Sequence, residues 1–459
     1  MFFLLVLCSR IPFLFYGFGL DPNAWAVALA ALHFHESGVY EASRFPGFPV
    51  HEMLSSLTVS HGYFLTNMLV AVISTTGILF FVLTLRALRF RYPLLGGAVL
   101  AAVPIMYLSS VITYDYSIAL TFVLAALYFT VKGWSVPAGI FLGLAVGCRI
   151  TSGAMLLPLA IIITHNDGMR ANANRILRMT ISTVVIGVFA FLPVISQYGF
   201  SFFTYEKVPY PDIGTLLFKL FFESWGVLGV LALFSGLFVM MLPAMNRGKK
   251  FLFPRSVNEK YVVAWLIAID LYIIAFLKLP TEAGYLLPAV PFIILLFGKY
   301  LYSEAFVIFA MLILMSPFLV SLTQVGDPAW PDTDATGSVV EISGQFYNLD
   351  VANGPLPEFE SRRRQSMARV DTLFRKLNNL DGLSLVIAGQ WYNQIQFRKD
   401  RELKNQEIIF VDYINEESLD RYFENGYDLY YLPGQDRRNF QKYNFELRDN
   451  FDAVEMDFE

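Results

Sequence analysis

The sequence predicts a polytopic α-helical membrane protein with a small α/β domain at its C-terminal end. Three observations carry this. Of 459 residues, 56% are hydrophobic and only 16% charged, with a mean hydropathy of +0.51; a soluble domain carries about 25% charged residues. Apolar runs long enough to cross a membrane recur as far as residue 321, a crossing helix needing about 20 residues. The charge balance then reverses: residues 1–320 hold 19 Lys and Arg against 13 Asp and Glu, and residues 321–459 hold 15 against 25. A basic membrane module (1–321) is thus followed by an acidic, soluble region (322–459). Cys8 and Cys148 both lie in apolar runs, which suggests neither a disulfide framework nor a metal knuckle.

Hydropathy places about eleven spans, near 1–20, 62–85, 93–110, 115–131, 135–148, 151–164, 177–197, 222–243, 260–278, 284–300 and 303–321. The first lacks a small-residue cleavage site and runs straight into a polar loop, so it reads as a span and not a cleaved signal. Arg10 in its middle either faces protein or marks a membrane boundary. The fifth and sixth runs are short and flank Arg149, as if they meet below the membrane surface. Loops after even-numbered spans collect bases, among them Arg86, Arg89, Arg91, Arg170, Arg175 and Arg178. Loops after odd-numbered spans collect acids, among them Asp21, Glu36, Glu52, Asp115 and Glu282. Because cytoplasmic loops are the basic ones, the N-terminus is expected inside and the loop 21–61 outside. With eleven spans the C-terminal domain is extracytoplasmic, and the chain is a multi-pass protein of a cell membrane.

That first outward loop gathers titratable side chains in a chain that otherwise has few. It holds Asp21, His33, His35, Glu36, Glu41 and Arg44, and four of the five histidines lie in or just after it. Asp21 followed by Pro22 reads as an N-cap and first helical residue, and Gly38 as a C-cap. Trp25, Leu29, Leu32 and Phe34 give an apolar side, predicting an amphipathic helix on the outer membrane surface. Pro46 to Pro49 make a rigid turn, with a second surface helix over 51–60.

The tail opens irregularly (Gly326 to Gly337), then predicts a helix over 358–377 that carries the basic run Arg362–Arg364. LSLVIAG, EIIFVDY and YDLYYLP read as strands, with a capped helix between the last two, hence a small α/β domain. No dinucleotide, P-loop or metal-ligand spacing occurs in it, and its acidity argues against nucleic acid as a partner.

Several residues are candidates for chemistry. Asp21, just beyond a span, is either an N-cap alone or a general base for an acceptor hydroxyl. His35 and Glu36 are candidates for acceptor-site hydrogen bonds. His33 and His35, two apart, point to different helix faces and do not match the i, i+4 spacing of zinc helices. A divalent cation therefore stays open without a ligand motif to support it, and no other cofactor is called for. Arg44, before the proline turn, suits a bidentate phosphate contact or an interfacial anchor. Asp115 in TYDYS is a second outward carboxylate, and Arg149 a base at the outer boundary where a lipid phosphate would lie. Lys278 and Glu282 flank the next outward turn, and Lys278 and Tyr285 could meet the same phosphate.

The order of these features resembles the GT-C superfamily of polyprenyl-phosphate-sugar-dependent glycosyltransferases, in its protein mannosyltransferase and aminoarabinose transferase branch. The matching residues are Asp21, Gly38, Tyr40, Arg44, Pro46, Gly47 and Pro49, then Asp115, the glycine-rich run ending at Arg149, and the turn from Tyr285 to Phe292. The resemblance covers residues 1–320 and not the tail. It implies a catalytic acid in the first outward loop, by position Asp21, and bases near the outer boundary holding a lipid-phosphate donor, for which Arg149 and Lys278 qualify. It implies sugar transfer to a glycan, lipid or protein acceptor on the extracytoplasmic side. Many members carry a second acid right beside the first, whereas here Asp21 is followed by Pro22 and Asn23. A transporter or flippase of a lipid-linked or small solute is the alternative; internal repeats would favour it, and the sequence shows none.

Overall fold

The computed structural model describes residues 1–164, 168–201, 210–242, 252–253, 257, 259–280, 282–324, 338–342, 345–380, 382–412, 418, 421–422, 424–432 and 454–455. Where the sequence predicts one helix over 1–20, the structure has α1 (Phe2–Arg10) and a 3-10 turn (Ile11–Phe13) with Pro12 inside it. Proline removes a helical donor and clashes with the preceding turn, and Gly17 then takes a left-handed φ of 65°. Arg10 faces protein: it is 2% exposed, donates to Ser110 Oγ (3.2 Å) and the Ala101 carbonyl (2.5 Å), and lies 3.7 Å over the Tyr107 ring.

Next come α2 (Pro22–Ser37), α3 (Pro49–Ser56), α4 (Tyr63–Ala87), α5 (Pro93–Ala102) and α6 (Pro104–Ser109). The last two form the third predicted span, broken where Pro104 forces Val103 to an extended ψ of 126°. Then follow α7 (Asp115–Val131), α8 (Ser135–Cys148), a 3-10 stretch (Ile150–Met155), α9 (Leu156–Ile163) and α10 (Gly168–Tyr198). Helix α11 (Ile213–Leu217) passes through a π-helical turn (Phe218–Glu223) into α12 (Ser224–Met240). The helical part ends with α13 (Glu259–Lys278), a 3-10 stretch (Ala283–Ala289), α14 (Val290–Tyr300) and α15 (Ser303–Met315).

Among the described residues, five stretches are long and apolar enough to cross a membrane: Tyr63–Ala87, Arg170–Tyr198, Ile213–Met240, Glu259–Lys278 and Ala283–Tyr300. Shorter apolar helices occupy the other expected positions. Helix α8 owes its packing to its glycines. A Cβ on Gly139 would come within 2.3 Å of the Met179 carbonyl of α10, and one on Gly143 within 2.6 Å of Ile186. Small residues let such helices approach backbone to backbone where lipid gives no hydrophobic drive between them.

In the tail, β1 (Ser321–Gln324), β2 (Ser338–Ile342) and β3 (Gln345–Asp350) form an antiparallel sheet, order β1-β3-β2, which the sequence reading did not foresee. Helix α16 (Pro355–Leu377) is the predicted 358–377 helix. After it come β4 (Ser384–Ile387), α17 (Tyr392–Glu402), β5 (Ile408–Val411), β6 (Asp428–Tyr431) and β7 (Val454–Glu455). The sheet is parallel in the order β5-β4-β6-β7, with Val370, Leu373, Phe374 and Leu377 of α16 packed on Val386, Ile408 and Phe410. The irregular opening at 326–337 lies outside the described residues, as do 415–417, 419–420 and 423 of the capped helix between β5 and β6.

Several contacts tie the tail to the N-terminal segment, chief among them those of Arg363 and Phe397. Arg363 of α16, 1% exposed, donates to the carbonyls of Phe13 (2.7 Å), Tyr16 (2.8 Å) and Gly17 (2.9 Å). Phe397 of α17 sets its ring against Phe18 (4.8 Å) and Trp25 (5.9 Å). Helix α2 is therefore not the open surface helix the sequence predicts. Ala24, Trp25, Ala26, Val27 and Ala28 are all buried, which is every side of its first turns. A helix apolar all round is a covered helix, and α17 supplies part of the cover.

Candidate active site

The first loop is held by a buried acid. Glu52 of α3, 2% exposed, accepts from the Ser43 amide (2.8 Å), the Phe48 amide (3.1 Å) and the Tyr40 hydroxyl. Burial pushes its carboxyl above the usual range, and those donors oppose the rise. The proline turn is thereby wrapped around one side chain, and Arg44 projects from it.

Arg44 points to Asp115. This carboxylate opens α7, is 0% exposed, and has both oxygens engaged: Oδ2 by Arg149 Nη1 (2.6 Å) and Oδ1 by Arg44 Nη2 (3.2 Å). Arg149 occupies the extended residue between α8 and the following 3-10 stretch, and is 6% exposed. Its guanidinium lies 3.7 Å from the Tyr116 ring centroid, 4.5 Å from Tyr285 and 5.5 Å from Phe48. Arg44 lies 4.3 Å over Phe48. Two cations against one carboxylate leave a positive excess, stabilised by aromatic faces. Beside them His51 is fully buried, and neither ring nitrogen has a hydrogen-bond partner among the described residues. Burial, with help from both arginines, lowers it to about 4, so the ring is neutral at pH 7.

Asp21 stands at the other side of this cluster. As the N-cap of α2 it accepts the Asn23 amide at Oδ1 (2.7 Å), and its Oδ2 lies 3.4 Å from the Tyr114 hydroxyl. Tyr114 and Tyr116 both donate to Glu282 Oε2, Tyr116 at 2.5 Å, and the Asn23 side chain donates to Glu282 Oε1 at 3.2 Å. Burial raises the Asp21 carboxyl to about 6, and the nearby Glu282 carboxylate adds to the rise. A carboxylate near 6 is ionised at pH 7 yet basic enough to take a proton in a transition state.

The structure thus brings Asp21, Arg44, Asp115, Arg149 and Tyr285 together. It does not bring in the others. His35 and Glu36 are exposed at the C-terminal end of α2, and His33 pairs with Glu41 at 3.5 Å. Lys278 is exposed at the end of α13, and no hydrogen bond or ion pair joins it to the cluster among the described residues. The sequence candidates do not include His51, Tyr114, Tyr116 or Asn23, and Glu52 and Glu282 enter only as outward acids, Glu282 as a flank of the turn after Lys278. The two tyrosines were visible as the flanks of Asp115 in TYDYS. Glu282 was visible as an outward acid beside Lys278, but nothing in one sequence pairs it with a residue 259 positions earlier.

No known family profile matches the chain, and no curated protein matches it. Two solved structures do, both of ArnT from Cupriavidus metallidurans. The apo state has a TM-score of 0.55 and the state bound to undecaprenyl phosphate 0.53. In each case identity is 14%, with 92% of this chain and 87% of that chain covered. The chain is an integral membrane protein that shares the fold of these ArnT structures.

Proposed function

We propose that the protein is a membrane glycosyltransferase that moves a sugar from a polyprenyl-phosphate donor to a glycan, lipid or protein acceptor on the extracytoplasmic face. The observation that carries this is the meeting of Asp21 with an arginine pair at one aromatic-lined cluster, on a fold whose solved example binds undecaprenyl phosphate. In this reading Asp21 takes the proton from the acceptor hydroxyl. The acceptor oxygen bonds to the sugar's anomeric carbon, and the bond from that carbon to the phosphate oxygen breaks. The electron pair leaves with the polyprenyl phosphate, which gains one negative charge. Arg149 and Arg44 meet that charge, and fixed cations in a water-poor site are effective stabilisers of a developing anion. Asp115 holds both arginines in place between turnovers. The N-terminus is inside, and the region 322–459 is a separate outer domain resting on the 1–321 module.

The test is transfer of a radiolabelled sugar from polyprenyl phosphate by the purified chain. Asp21→Asn keeps the cap and removes the base, so transfer is expected to fall by at least about 100-fold in a protein that still elutes as a folded species. Retained transfer in that variant removes Asp21 from the role. Solute movement across vesicles without any transfer would favour a transporter instead.

A further inference from the structure

Tyr114 has one proton and two carboxylate neighbours. It lies closer to Glu282 Oε2 than to Asp21 Oδ2, which is 3.4 Å away. A phenol can donate once and accept. With its proton on Glu282, its oxygen offers Asp21 only a lone pair, and the contact becomes a hydrogen bond when Asp21 itself carries a proton. The other link has the same form: Asn23 gives its amide to Asp21 (2.7 Å) and its side chain to Glu282 (3.2 Å). The two acids are thus joined twice, although 261 positions apart in a chain that places Pro22 and Asn23 where a neighbouring acid would stand.

We propose that Glu282 is the partner carboxylate of Asp21, and that the two hold one proton between them through the Tyr114 hydroxyl once Asp21 has accepted it. This rests on the transferase reading and deepens it. The proton that leaves the acceptor hydroxyl goes to Asp21. Asp21 donates it to the Tyr114 oxygen, and Tyr114 donates its own to Glu282. No other reactant is needed, and the pair returns to its starting state when the proton passes to water. Glu282 touches no reacting atom here; it is a positioning residue that acts through Tyr114. Tyr116, which donates to the same Oε2 at 2.5 Å, holds Glu282 in place and ties it to Arg149, 3.7 Å from the Tyr116 ring. The charged and titratable groups around Asp21 are Glu282, Arg44 and Tyr114. From the tail, α17 brings the uncharged Asn393 to the Pro22 carbonyl at 3.4 Å.

The experiment reads the proton on Asp21 directly and needs no sugar donor, so it is decided separately from the transfer reaction. The full chain in lipid nanodiscs is treated with a hydrophobic carbodiimide, which modifies the protonated carboxyl, and the Asp21 adduct is quantified by mass spectrometry across a pH series. In the unaltered protein the yield is expected to be half-maximal near pH 6. Glu282→Gln and Tyr114→Phe should each move that midpoint to lower pH, with at least a ~3-fold smaller yield at neutral pH, equivalent to half a pH unit. Because they break one chain, the double variant should move no further than the larger single shift. A midpoint unchanged in Glu282→Gln, a shift to higher pH in Tyr114→Phe, or shifts that add in the double variant would each overturn the proposal.

Discussion

Arg363→Ala tests whether the tail holds the N-terminal segment that leads to Asp21. The side chain donates three hydrogen bonds to carbonyls of Phe13, Tyr16 and Gly17. A bond from a charged donor contributes about 1.5 kcal/mol or more, so three contribute about 4.5 kcal/mol. Burial opposes this: it drives the guanidinium from its ordinary value down to about 10, equivalent to ~3 kcal/mol against the charged form. Removing the side chain also leaves the three carbonyls without that donor, at about 1 kcal/mol or more for each one water does not reach. The net loss is about 3 kcal/mol, which is roughly 100-fold in the opening equilibrium at 1.4 kcal/mol per tenfold. Limited proteolysis in detergent reads that equilibrium when closing outpaces cleavage. Release of fragments cut within α16 should accelerate by about that factor. Arg363→Lys keeps the charge but loses the planar fork, and should fall between. A cleavage rate for Arg363→Ala within about threefold of the unaltered protein, against the ~100-fold expected from the bond count, would refute the reasoning.

The Asp21 carboxyl is raised from 3.8 to about 6, so between those values the folded chain keeps a proton that the unfolded chain has lost, and stability falls as pH rises through that window. Asn caps a helix as well as Asp, so Asp21→Asn should raise the melting temperature at pH 7, by up to ~3 kcal/mol of stability, and leave it unchanged near pH 4. Asp115→Ala leaves Arg44 and Arg149 facing each other with no carboxylate between them, and should lower stability by about 3–5 kcal/mol; denaturant unfolding should show part of the loss recovered when Arg149→Met is added. At Gly284 a Cβ would lie 2.3 Å from Cε2 of Tyr116, so Gly284→Ala displaces that ring from Glu282 and Arg149. Transfer should fall by at least about tenfold, the scale of a misplaced site group, measured with the labelled donor.

What the sequence determined by itself is local. Asp21 and Pro22 start α2 and Gly38 ends it at φ 70°, because caps act over a few residues and need no partner from elsewhere. The glycine-rich run ahead of Arg149 and the acids of the outward loops were legible for the same reason: spacing and hydropathy are written in neighbouring positions. Arg149 was marked by its place between two short apolar runs, and Asp115 by its place just outside one. The tertiary structure alone decided which charges meet. Asp115 takes two arginines from different segments, Glu282 reaches Asn23 beside Asp21, and Arg363 reaches back to residues 13–17. It also decided that α2 is covered, since a helix rich in alanine is read as a surface helix until a second layer packs on it, and that Lys278, Glu36 and His35 stay apart from the cluster. A single chain of letters records the charge on each residue but not the long-range packing that sets the distance between them, and electrostatic strength depends on that distance and on the water it excludes.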